Sequence, residues 1–111
     1  MKIINLSEIE SQPSSHGNYL AREIIEEGEY SNIHSFGQVR METDQMAKMH
    51  GHDGKMEIFF VLSGSAKIIF GDGTEVTAKA GTSIITESDE THEVSNPFDE
   101  PLEMLYLTLK N

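Results

Sequence analysis

Apolar and polar positions alternate along most of this chain in short runs broken by glycine, proline and acidic residues, the period-two signature of half-buried strands. Over residues 32–49, Ile33, Phe36, Val39 and Met41 precede a polar break at 42–45. That pattern predicts a strand ending near Met41, a turn, and a short strand leading into His50. Residues 67–70 and 74–76 flank Gly71, Asp72 and Gly73 and predict a hairpin, for which turn chemistry accounts without a phosphate cradle. Residues 82–86, 91–94 and 102–109 predict further strands, separated by the polar break Glu87, Ser88, Asp89 and Glu90 and by Asn96 and Pro97. Residues 18–25 have mixed periodicity and are read as a strand, and residues 1–17 as an N-terminal arm or edge strand with a loop. No helix of ordinary length is expected. Short strands at regular spacing with glycine-rich turns point to an all-β barrel or double-sheet sandwich.

The faces of these strands carry the next expectations. Glu57, Phe59 and Val61 share one face and Ile58, Phe60 and Leu62 the other, so the strand over residues 57–62 is expected to be buried on both sides, by core on one and by a subunit partner on the other. A symmetric homodimer follows. In the last strand Met104 and Tyr106 share a face opposite Leu105, Leu107 and Leu109. Gln38 and Arg40 lie opposite Val39 and Met41. Such a face is usually solvated; if it points into the barrel, Arg40 becomes the partner for a substrate carboxylate or enolate, binding two oxygens at once.

At 111 residues the chain makes one domain with a single core, and no apolar run approaches a membrane span. Eight Lys and Arg against nineteen Asp and Glu give a formal charge of −11, which repels nucleic acid and anionic lipid and keeps a small protein soluble. The absence of cysteine excludes disulfides and thiolate ligands, so any metal must be held by nitrogen and oxygen. The first fifteen residues lack the basic start, apolar centre and cleavage site of a secretory signal, and a cytoplasmic protein is expected.

Histidines and one carboxylate supply such ligands. His50 and His52 alternate along a strand and can offer two imidazoles to one point. Glu57 is out of step with them, but a turn at residues 53–55 restarts the period and lets it face the same interior. His16 and His34 are expected to be solvated or hydrogen-bonded loop histidines. Met41, Met46, Met49 and Met56 are read as flexible core filling.

His50, His52, Glu57 and Gly64 fit the pattern HxH, four residues, Glu, six residues, Gly, and Gly81, His92 and Asn96 fit a second pattern downstream. In these two motifs, spanning residues 44–96, the chain resembles the cupins, small jelly-roll barrels. It departs from them at Asp44, where a leading glycine is usual, at Glu87, where proline is usual, and at Asp89, where a second glycine is usual. The resemblance implies a double-stranded β-helix and makes His92 the fourth ligand beside His50, His52 and Glu57. Three imidazoles and a carboxylate suit one divalent transition metal per chain, Fe, Mn, Ni, Cu or Zn. An octahedral ion would keep two positions for water or substrate, whereas tetrahedral zinc would be saturated. Cupins include dioxygenases, isomerases, epimerases, lyases and binding proteins. The expectation is a metal-dependent enzyme acting on a small oxygen-bearing organic molecule, dioxygenase-like or an enolising isomerase or lyase. The alternative is a non-catalytic metal or small-ligand binding module. Phe59, Met104, Tyr106, Gln38 and Arg40 are the expected pocket residues, with Tyr106 and Arg40 the candidates for catalysis.

Overall fold

The computed structural model describes residues 1–51, 54–87 and 89–110. A 3-10 turn, Leu6–Glu8, is capped by Asn5, whose side chain accepts from the Ser7 amide. Ten strands follow among the described residues: β1 (Gln12–Pro13), β2 (Leu20–Ile25), β3 (Ile33–Met41), β4 (Met46–His50), β5 (Lys55–Ser63), β6 (Ser65–Phe70), β7 (Glu75–Lys79), β8 (Ser83–Thr86), β9 (His92–Ser95) and β10 (Leu102–Lys110). They form two antiparallel sheets, ordered β1-β2-β3-β10-β5-β8 and β4-β9-β6-β7. This is the double-stranded β-helix, or jelly roll. No helix among the described residues is long and apolar enough to cross a membrane.

Alternation decides what each sheet turns inward. β3 buries Ser35, Val39 and Met41, β5 buries Glu57, Phe59 and Val61, and β10 buries Leu102, Met104 and Thr108. Ala47, Ala66, Ile68, Ala78 and Val94 of the four-stranded sheet complete one core between the two sheets. On the outer face, where a subunit partner is expected, Phe60 and Leu62 are 38% and 41% exposed in the single chain, so within one chain only the inner face of β5 is fully buried.

Two motif positions have a purely structural role. Gly64 has φ +75°, and a Cβ there would collide with the Pro101 carbonyl oxygen, so no larger residue fits. Asn96 is fully buried; its Nδ2 donates to the Met41 and Glu100 carbonyls at 3.0 and 2.8 Å, and its Oδ1 accepts from the Phe98 amide at 3.1 Å. It ties the end of β3 to the loop before β10. Asp44, in the usual glycine position, adopts φ +69° and donates its amide to the Asn96 carbonyl at 2.7 Å. The aspartate keeps the glycine's backbone.

Candidate metal centre

Cross-strand register assembles the site. In the four-stranded sheet His50 pairs with His92. Strict alternation from inward-facing Ala47 would turn His50 outward. Between the pairs Ala47↔Val94 and His50↔His92, however, β4 spends three residues where β9 spends two. This bulge reverses the parity of β4 and brings His50 onto the face of His92, leaving Met49 exposed. In the six-stranded sheet Glu57 lies between Thr108 of β10 and Thr86 of β8.

The ligand atoms of His50, Glu57 and His92 lie within 4.8 Å of one another. His92 Nε2 is 3.0 Å from Glu57 Oε1, with both side chains buried. Two ligands about 2.1 Å from one ion are about 3.0 Å apart when they subtend a right angle, so this spacing fits a shared metal. His92 Nε2, although 3.0 Å from Glu57 Oε1, is not in hydrogen-bonding geometry with it, and among the described residues neither ring nitrogen of His92 makes a hydrogen bond. A buried imidazole in that condition is costly, and a bound cation would relieve it. His50 Nδ1 lies 2.6 Å from the Lys48 carbonyl, which fixes that nitrogen as the donor and leaves Nε2 for a metal. Burial lowers the His50 pKa against the opposing pull of the Lys48 carbonyl, and the neighbouring His92 and His16 lower it further. The neutral imidazole a metal requires is therefore favoured. Thr108 Oγ1 donates to Glu57 Oε2 at 2.9 Å and holds the carboxylate in place. One divalent ion is compatible with this cluster.

Beside it opens a cavity of about 520 Å³. Phe59, Met104 and Tyr106 line it together with Val39, Met41 and Tyr19. Phe59 meets the His92 ring edge-on, with centroids 5.5 Å apart. Tyr106 owes its position to Gly37, opposite it on β3, where a Cβ would come within 2.6 Å of the phenol oxygen. Burial raises the Tyr106 pKa well above the ordinary phenol value, with Glu23, Tyr19 and Glu57 adding to the effect.

Other expected site residues fall elsewhere. Gln38 and Arg40 do not reach the cavity: inward Val39 and Met41 put them on the outer face of β3, where Arg40 binds Glu42 and Glu103 at 3.0 and 2.7 Å. His52 lies outside the described residues. His34 is a strand residue of β3 lining the cavity, 3.4 Å from Glu27, rather than a loop histidine. His16 also differs from expectation. The arm folds over the cavity, its backbone fixed by the Lys48 amide donating to the His16 carbonyl at 2.9 Å, and the His16 ring stacks on His50 at 4.4 Å and 8°. Nothing in the local sequence announces this contact. Thr108 was not singled out either, although it shares the parity of Met104 and Tyr106 and so was readable.

Two antiparallel sheets enclosing a cavity beside a His/Glu/His cluster compatible with one metal ion define a small jelly-roll barrel. Residues 37–108 match the family model of the cupin domain, and the chain belongs to the cupin family. It is 27% identical over 86 residues to an oxalate-binding protein of Thermotoga maritima, covering 78% of this chain and 70% of that protein. The crystal structure of a predicted oxalate decarboxylase from Thermotoga maritima superposes with a TM-score of 0.90 at 22% identity, over 99% of this chain and 100% of the other. The polyketide cyclase RemF from Streptomyces resistomycificus superposes with a TM-score of 0.85 at 15% identity, over 100% of this chain and 80% of the other. At these identities the structural likenesses establish the fold alone.

Proposed function

We propose that the protein holds one divalent transition metal through His50, Glu57 and His92, with His52 as the fourth ligand, and binds a small oxygen-bearing organic molecule in the adjoining cavity as substrate of a metal-dependent reaction. The observation that carries this is the 3.0 Å approach of His92 and Glu57 from opposite sheets, buried beside a cavity of ligand size. The ion would supply Lewis acidity toward a carbonyl or enolate oxygen, or dioxygen chemistry if redox-active. The chain's own contribution is to orient the ligands through Lys48 and Thr108, to exclude water with Phe59, Met41 and Met104, and to offer the Tyr106 hydroxyl as a hydrogen-bond donor.

Metal analysis of the purified protein tests the centre. About one ion per chain is expected, lost in His92→Ala and in Glu57→Ala; a protein that neither carries nor takes up metal overturns it. Oxygen consumption and product analysis with diketones, enediols and phenols then test turnover. Binding without turnover is the second reading. It is supported by Tyr106, whose phenol is held protonated and therefore makes a poor general acid or base, and by the relative described as a binding protein. Oxalate is the first ligand that relative suggests.

A homodimer is part of the proposal. Ile58 pairs with Ile85 and Leu107, and Phe60 with Leu105, which makes one continuous apolar patch on the outside of the six-stranded sheet. Ile85 is 57% exposed there in the single chain. A second copy packed on this patch would bury it. A cytoplasmic setting is retained from the sequence expectation.

A further inference from the structure

The cavity differs from what a small dianion requires in three independent respects, and these narrow the ligand class of the metal site proposed above. The first is charge. Glu10, Glu23, Glu26 and Glu57 line the cavity, and no lysine or arginine does so among the described residues. A divalent ion would cancel only two of these four formal charges, so the loaded cavity stays net negative. Arginines close by in sequence serve other groups: Arg22 donates to Ser11 at 3.2 Å, and Arg40 is bound to Glu42 and Glu103 on the outer face. Burial raises the Glu23 pKa, and the charges of neighbouring Glu26, Glu27 and Glu29 raise it further.

The second is volume. About 520 Å³ lies within the range of roughly 300–1,000 Å³ that houses ligands far larger than a two-carbon diacid. The third is the wall, where Ile9, Val39, Met41, Phe59, Val94 and Met104 present apolar surface that would lie idle against oxalate. Ile9 belongs to the arm, so part of this surface exists only because the arm folds over the cavity.

We propose that the ligand chelates the metal through an oxygen pair at one end and extends an apolar or aromatic body, neutral or cationic and free of carboxylate and phosphate, toward the mouth at Glu23 and Glu26. This rests on the metal centre proposed above. An ammonium group near the mouth is attracted by the carboxylates, whereas a carboxylate there is repelled by them and by the chain's overall charge of −11.

Isothermal titration calorimetry on the full chain loaded with cobalt(II) tests this with three probes. Two share a catechol head and differ in tail: 3,4-dihydroxyphenethylamine carries an ammonium group and 3,4-dihydroxyphenylacetate a carboxylate. The third is oxalate. Metal stoichiometry is measured first by elemental analysis. At low ionic strength the amine is expected to bind at least about fivefold more tightly than the acid and more tightly than oxalate, a gap that contracts at about 0.5 M salt as screening shortens the reach of the field. Glu23→Gln combined with Glu26→Gln is expected to narrow the gap while cobalt stoichiometry stays unchanged. Equal or tighter binding of the acid or of oxalate by the loaded protein, or no binding of the amine, overturns the ligand class and leaves the metal centre standing. A protein that takes up no cobalt overturns both.

Discussion

Thr108 Oγ1 donates a hydrogen bond to Glu57 Oε2 at 2.9 Å, joining adjacent strands of the six-stranded sheet at the residue whose other oxygen faces His92. Thr108→Val keeps the shape of the side chain and removes only the donor. The carboxylate then loses a partner in a buried setting, and its orientation toward the ion is no longer held. Metal affinity, read by competition with a coloured chelator, is expected to fall roughly 10- to 100-fold. Stability of the metal-free protein, from urea denaturation, is expected to fall by about 1–3 kcal/mol. Unchanged metal affinity would remove Thr108 from the site.

Asp44 is the one non-glycine residue with positive φ among those described. An L-residue pays for that conformation, less so for aspartate than for most, and glycine does not. Asp44→Gly is expected to raise stability by roughly 0.5–1 kcal/mol, the relief of strain less the freedom glycine adds to the unfolded chain. Asp44→Val is expected to lower it by at least as much. Urea denaturation of both variants measures the pair; destabilisation by glycine would mean that the aspartate side chain does more than fill a turn.

These two positions show which parts of the molecule could be read from sequence. Strand alternation is local, so β3, β5 and β10 were legible, as was the sharing of one face by Glu57 and Phe59 and of another by Met104 and Tyr106. The bulge that turns His50 inward was not, because an extra residue appears only when β4 is counted against β9. Periodicity also leaves open which face of β3 points inward; the pairing with β10 decides it and sends Arg40 outside. His16 reaches the site through a backbone contact with Lys48, more than thirty residues away in sequence, a tertiary event that no local pattern encodes.

The parallel rings of His16 and His50, 4.4 Å apart, make a prediction about the arm. Stacking holds the His50 plane, so His16→Ala is expected to weaken metal binding several-fold, while His16→Phe keeps the stack and most of the affinity. The d–d spectrum of the cobalt(II) form is expected to change in the alanine variant and not in the phenylalanine one. Equal loss in both variants would mean that a nitrogen of His16, rather than its ring face, is what matters.

The outer patch gives a prediction independent of the metal. Phe60→Lys places a charge at the centre of the row formed with Leu105 and Ser83. Light scattering is expected to give a dimer for the natural chain and a monomer for the variant, with the metal retained in both. A natural chain that is monomeric at working concentrations removes the dimer.

The last prediction concerns pH and follows from the lowered pKa of His50. In the folded protein its neutral form is favoured, so when pH falls below the ordinary value of 6.5 the unfolded chain takes up this proton first. The stabilisation is therefore complete above that pH, is lost as pH drops from 6.5 toward the depressed folded value, and changes no further once both states are protonated. His50→Gln cannot titrate and lacks this contribution. Between about pH 7.5 and pH 5, denaturation of the metal-free proteins is expected to show a larger loss for the natural chain than for His50→Gln, the carboxylates that titrate in both cancelling in the comparison. Protons and metal compete for the same imidazole, so the metal should also leave more readily over that window. Identical pH profiles for the two proteins would show that His50 titrates alike in the folded and unfolded chains, and with that the case for a preorganised neutral ligand would be lost.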